Sequence, residues 1–156
     1  MNKTKQKPGG TRTLTFSAVP VEGVNPAAWE PARPSDRAIQ VLQNVQPYLE
    51  FSGQLLVGAD ANDVGPDDVA GHALLYGGEV IQSVLYGGEL PALPSELAAA
   101  TTGKLSLSAR LSISAARGGL LIAQGQLASS HPQAAARLRV VNQVLGALLS
   151  GRPVTL

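Results

Sequence analysis

The sequence contains no cysteine and few aromatic or charged residues. Without cysteine there are no disulfides, thiolate metal sites or cysteine nucleophiles. Aromatic residues make up 4% and charged residues 15% of the chain, so the core must be built mainly from Leu, Val, Ile and Ala. No apolar run is long enough to span a membrane, and no continuous apolar segment follows the N-terminal lysines. These absences predict a soluble protein of the cytoplasm.

The charges are unevenly distributed along the chain, although the net charge is only +1. Residues 38–96 hold eight carboxylates and no Lys or Arg, whereas residues 97–156 hold six basic residues and no Asp or Glu. Such a division suggests that the two segments face each other or that each meets a partner of opposite charge. We predict a disordered basic tail at 1–10, followed by one globular domain at 11–156.

The first half of that domain is predicted to hold one strand and two helices. Residues 11–18 alternate between polar and apolar side chains, as in a half-buried strand. Ser35 is a suitable N-cap for a first helix, which Pro47 is expected to break or kink near Gln46. The run Pro66-Asp67-Asp68 is typical of a second helix start.

One internal repeat follows in this second segment. Leu-Tyr-Gly-Gly-Glu occupies residues 75–79 and again residues 85–89. The Gly-Gly pairs could form hairpin turns between short strands, or they could stop or weaken a helix. The helix start at Pro66 favours the helical interpretation over residues 66–90.

The clearest pattern alternates Leu, Ile and Ala with Ser and Arg from residue 105 to residue 116. It predicts a strand with one buried face, and Gly118-Gly119 could turn it into a second strand. We therefore predict a Ser-faced β-hairpin at about 104–128 and an amphipathic helix at about 131–150, capped by Ser130. The resulting fold is α+β, and the alternative is a mostly α-helical bundle.

Evidence for catalysis or for a bound cofactor is weak in the sequence. His72 follows Asp68 by one helical turn, whereas no acid lies near His131 in the chain. The sequence lacks the common glycine-rich phosphate-binding motifs and an EF-hand pattern. We therefore predict no metal site and no cofactor, and a small enzyme around His72 is the third of our functional hypotheses.

The leading hypothesis is a non-catalytic interaction or assembly protein with charge-segregated surfaces, acidic at 38–96 and basic at 97–156. Its partner would be another protein or a second copy of the chain. The second hypothesis is an accessory nucleic-acid-binding protein that uses the basic C-terminal half. Both hypotheses share the same candidate partner-binding residues: Arg110, Arg117, Arg137, Arg139, Tyr76 and Tyr86.

Overall fold

The computed structural model describes residues 33–58, 65–98 and 103–156 of the 156-residue chain. Within these ranges there is no strand. The predicted α+β fold is therefore wrong, and the alternative of a mostly α-helical bundle is confirmed. The predicted tail at 1–10 and strand at 11–18 lie outside the described residues. The helices are α1 (Asp36–Leu56), α2 (Pro66–Tyr86), α3 (Leu107–Leu127) and α4 (Pro132–Ser150), with a short 3₁₀ helix at Ser95–Ala98.

The four helices pack as a bundle. Helix α1 contacts α2 and α3, and α4 contacts the same two helices, so α2 and α3 face each other across a diagonal. The Gly58 N–H donates to Asp68 Oδ1 and the Ser106 N–H donates to Asp67 Oδ1, each at 2.9 Å. These bonds place the end of α1 and the starts of α2 and α3 at one end of the bundle. Helices α2 and α3 are therefore parallel, and each is antiparallel to α1 and α4.

A long crossover, residues 87–106, joins α2 to α3 and runs from one end of the bundle to the other. In its described parts, residues 87–98 and 103–106, apolar side chains enter the core. Leu97 in the 3₁₀ helix is fully buried, and Leu105 is buried just before α3 begins. These two side chains of the crossover therefore belong to the folded core. The core also includes the predicted apolar stripe of α4: Leu138, Val141, Leu145 and Leu148.

The predicted hairpin at 104–128 is wrong because this segment forms helix α3. The Ser106 Oγ caps the helix by accepting a hydrogen bond from the Ala109 N–H at 3.1 Å. In an alternating pattern the apolar residues are two positions apart, so every other one of them recurs at a spacing of four positions. Four residues are close to one helical turn, so these residues share one side of a helix. Leu105, Ala109 and Ile113 consequently lie on the buried side, while Leu107 and Leu111 are exposed.

The predicted helix starts are confirmed at α1 and α2. Ser35 Oγ accepts from the Ala38 N–H at 3.1 Å, and Pro66 is the first residue of α2. The predicted break near Gln46 is not observed, since α1 continues through Pro47 to its last turn. Pro47 lies on the exposed side of α1, where water can bind the carbonyl group that loses its helical partner.

The two copies of the Leu-Tyr-Gly-Gly-Glu repeat have different structures. In the first copy Gly77 and Gly78 are buried inside α2, which confirms the helical interpretation. In the second copy Gly87 has φ 75° and ends α2 by donating its N–H to the Ser83 carbonyl. At the start of α4, the N-cap is His131 and makes no side-chain capping bond. The predicted cap at Ser130 is therefore wrong.

Candidate functional site

Tyr76 and Arg137, both predicted partner-binding residues, form a hydrogen-bond network with the crossover. The Arg137 guanidinium donates to Tyr76 Oη at 2.7 Å and to the Pro91 carbonyl at 3.0 Å. The Tyr76 hydroxyl also donates to the Pro91 carbonyl at 2.9 Å. Because these groups bind one another and Tyr76 is buried, the structure assigns them to the attachment of the crossover to α2 and α4.

The remaining predicted arginines point to different parts of the bundle. Arg117 turns toward α4, where its Nε donates to Asn142 Oδ1 at 3.3 Å. A Cβ atom on Gly146 would lie 3.3 Å from Nη2 of this guanidinium, so the glycine leaves room for it. Arg139 is exposed on α4, and Arg110 is exposed near the start of α3. These residues therefore do not converge on a single basic surface.

Arg110 lines a cleft of about 590 Å³ between the start of α3 and the end of α4. Lys104 and Arg152 also line it, and no carboxylate does. In the described ranges, no Lys or Arg lies within 4.0 Å of a carboxylate. The cleft therefore presents three cations that could attract an anionic ligand.

The two histidines lie in separate places. His72 Nε2 is 3.5 Å from Asp68 Oδ2, one turn earlier in α2, as its sequence spacing indicated. Among the described residues no hydroxyl group completes a Ser-His-Asp arrangement around it. His131 Nδ1 is 3.0 Å from Ser130 Oγ. Neither histidine belongs to a group of three potential metal ligands among residues 33–58, 65–98 and 103–156.

An apolar surface feature that the sequence analysis missed lies on α1. On α1, Tyr48, Phe51 and Leu55 follow a spacing of three and four residues and are all exposed. Phe51, the most central of the three, has 62% of its surface accessible to solvent. This arrangement leaves one stripe of α1 uncovered beside the buried stripe that packs in the bundle.

Helix α3 packs beside α1 and extends this apolar surface. Val45 of α1 lies 3.4 Å from the position that a Cβ atom on Gly119 would occupy. Because the two helices are antiparallel, the later residues of α1 lie beside the earlier residues of α3. The combined surface, here called the α1/α3 face, comprises six exposed side chains: Tyr48, Phe51, Leu55, Leu107, Leu111 and Ile122.

The α1/α3 face carries no charge along its centre. Between residues 38 and 58, the only charged side chain of α1 is Glu50, which accepts a hydrogen bond from Gln46 on the side of α1 that packs on α2. Between residues 111 and 127 the only charged residue of α3 is Arg117, which turns toward α4. Glu50 and Arg117 therefore point away from the face, and Arg110, between Leu107 and Leu111, lines the cleft that α3 forms with the end of α4.

The comparisons with known proteins do not assign this surface. No protein-family model, curated protein or solved structure matches the chain. Within the described residues, no helix combines the length and the apolar character needed to cross a bilayer.

Proposed function

We propose that this chain is a non-catalytic interaction protein that binds its partner on the α1/α3 face. The supporting observation is the group of six large apolar side chains that two neighbouring helices expose together. Contiguous apolar surfaces of this kind commonly mark protein interaction sites. Tyr and Phe at the centre of the face fit this role, because aromatic residues are enriched in interfaces.

Site-specific photo-cross-linking tests this proposal. A benzophenone amino acid in place of Phe51 should form adducts with the partner in the source cells, because the side chain lies at the centre of the face. The matched control places the same group at Tyr86, which is more exposed but lies on α2, outside the face. Equal adduct formation at the two positions would contradict a specific interaction on α1 and α3.

The second part of the same proposal is that the oppositely charged segments of the chain also contact the partner. The acidic segment 38–96 contains α1 and α2, and the basic segment 97–156 contains α3 and α4. In the described residues no Lys or Arg lies within 4.0 Å of a carboxylate, and the exposed side chains of Glu79, Arg110 and Arg139 would be the ones that meet a partner. Contacts through these charges would weaken as salt is raised, whereas contacts through the apolar face would not.

Binding of nucleic acid is a second candidate function, favoured by the cleft that Lys104, Arg110 and Arg152 line. The phosphates of a single strand could neutralise these three cations, which would make binding strongly salt-dependent. The probe is a fluorescently labelled single-stranded oligonucleotide. Replacing all three residues by Ala should abolish binding and its salt dependence, while Arg139→Ala, outside the cleft, should change both little. Equal losses in the two variants would exclude the cleft as the binding site.

A further inference from the structure

We propose that the partner on the α1/α3 face is a second copy of this chain, in a homodimer related by a two-fold axis. This inference rests on the proposed function, since it names the occupant of the same surface. In such a dimer α1 and α3 of one copy pack against α3 and α1 of the other. The eight helices then form two bundles joined through one apolar layer.

The absence of charge on the face favours a second copy over a charged partner. In a two-fold interface a surface meets itself, so an unpaired charge near the axis meets a charge of the same sign. Glu50 accepts a hydrogen bond from Gln46 of its own helix, on the side of α1 next to α2, and Arg117 turns toward Asn142 of α4. Self-association of the face therefore brings no like charges together at its centre.

The size of the face also suits a stable dimer. Helices of 21 residues, such as α1 and α3, are about 30 Å long, and packed neighbours are about 8–10 Å apart. Two such helices present a surface of roughly 30 by 20 Å, or about 600 Å² in projection. A standard interface buries about 800 Å² of accessible surface per partner, and accessible surface exceeds its projection. The exposed sides of α1 and α3, with the α1/α3 face among them, are together large enough for such an interface without help from α2 or α4.

The α1/α3 face has projecting side chains on α1 and a matching depression on α3. Helix α1 projects Tyr48 and Phe51, whereas the middle of α3 has Ser114, Ala115 and Gly118 on its exposed side. A Cβ atom at Gly118 would meet no heavy atom within 4 Å. The two-fold axis can therefore place the aromatic residues of one copy over the small residues of the other.

Analytical ultracentrifugation of the purified full chain tests the homodimer. At a protein concentration of about 100 μM, the wild type should sediment with twice the 16.0 kDa mass of the chain. The double variant Phe51→Glu, Leu111→Glu should raise the dissociation constant at least about 100-fold, because each copy would bury charges. Tyr86→Glu, at a more exposed aromatic position outside the face, should leave the dissociation constant unchanged.

Gly118→Leu separates specific packing from general hydrophobic adhesion. The added side chain increases the apolar area of the face but fills the depression on α3. We expect it to raise the dissociation constant at least about tenfold, while the monomer keeps its helical content. An unchanged or tighter dimer in Gly118→Leu would overturn the proposed arrangement, as would a dimer that dissociates when salt is raised to about 1 M.

The two proposals fail in different ways. A wild type that remains monomeric overturns the homodimer. If the cross-linker at position 51 then still gives adducts that the position 86 control lacks, the interaction function stands with a different partner. If those adducts are also missing, both proposals are wrong.

Discussion

Replacing Tyr76 by Ala should lower the free energy of unfolding by about 3–5 kcal/mol, the range typical of a buried aromatic residue. Tyr76 has only 2% of its surface exposed, so truncation leaves a cavity between α2 and the crossover. The change also removes the hydroxyl that binds the Pro91 carbonyl and accepts from Arg137. Urea unfolding followed by circular dichroism at one protein concentration measures the effect.

The internal repeat supplies a matched control, because Tyr86 occupies the same position in the second copy. Its side chain is 74% exposed, and Tyr86→Ala should change the free energy of unfolding by no more than about 0.5 kcal/mol. Tyr76→Phe isolates the hydroxyl, whose loss should cost about 1–2 kcal/mol. Equal effects of the Ala changes at positions 76 and 86 would show that the crossover is not anchored at Tyr76.

Gly71→Ala should destabilise the protein by about 2–3 kcal/mol, at the upper end of the range for overpacking. Helices α1 and α2 come unusually close at this point. A Cβ atom on Gly71 would lie 2.8 Å from the backbone nitrogen of Val57 and 2.9 Å from the carbonyl oxygen of Gly53. Because these are backbone atoms, only a movement of one helix can relieve the clash.

Gly125→Ala is the control for the general effect of adding a methyl group to a helix. A Cβ atom at Gly125 in α3 would meet no atom within 4 Å, so Ala should stabilise the protein by up to about 1 kcal/mol. The two substitutions are chemically identical and should have opposite signs in the same unfolding experiment. Stabilisation of the protein by Gly71→Ala would contradict the close packing of α1 on α2.

Local signals in the sequence predicted several elements correctly. Ser35, Pro66 and the apolar stripe of α4 identify helices because capping and the 3.6-residue period act within a few residues of chain. Pro47 misled the same reasoning, since the cost of an interior proline depends on whether the lost hydrogen bond faces water. That exposure is a property of the bundle and is not encoded next to Pro47.

The candidate surface was hidden by the same ambiguity that produced the wrong fold class. A Leu at every second position fits a strand with one buried face, and it equally fits a helix with apolar residues on two sides. The strand interpretation assigned every Leu and Ile between 105 and 113 to the core and left nothing apolar for a partner. In the helix, Leu107 and Leu111 are exposed, and together with Phe51 they form the surface from which we infer an interaction function.

The amino-acid sequence by itself determined the starts of α1 and α2, the composition of the core and the division of charge between the two halves. Tertiary structure alone decided that residues 107–116 are helical, that Tyr76 is buried while its repeat partner Tyr86 is exposed, and that α1 and α3 lie side by side. The physical reason is that burial depends on which helices are neighbours. In its helical form this segment places Leu105, Ala109 and Ile113 against the other three helices. It thereby buries more apolar surface than a two-stranded hairpin could bury alone.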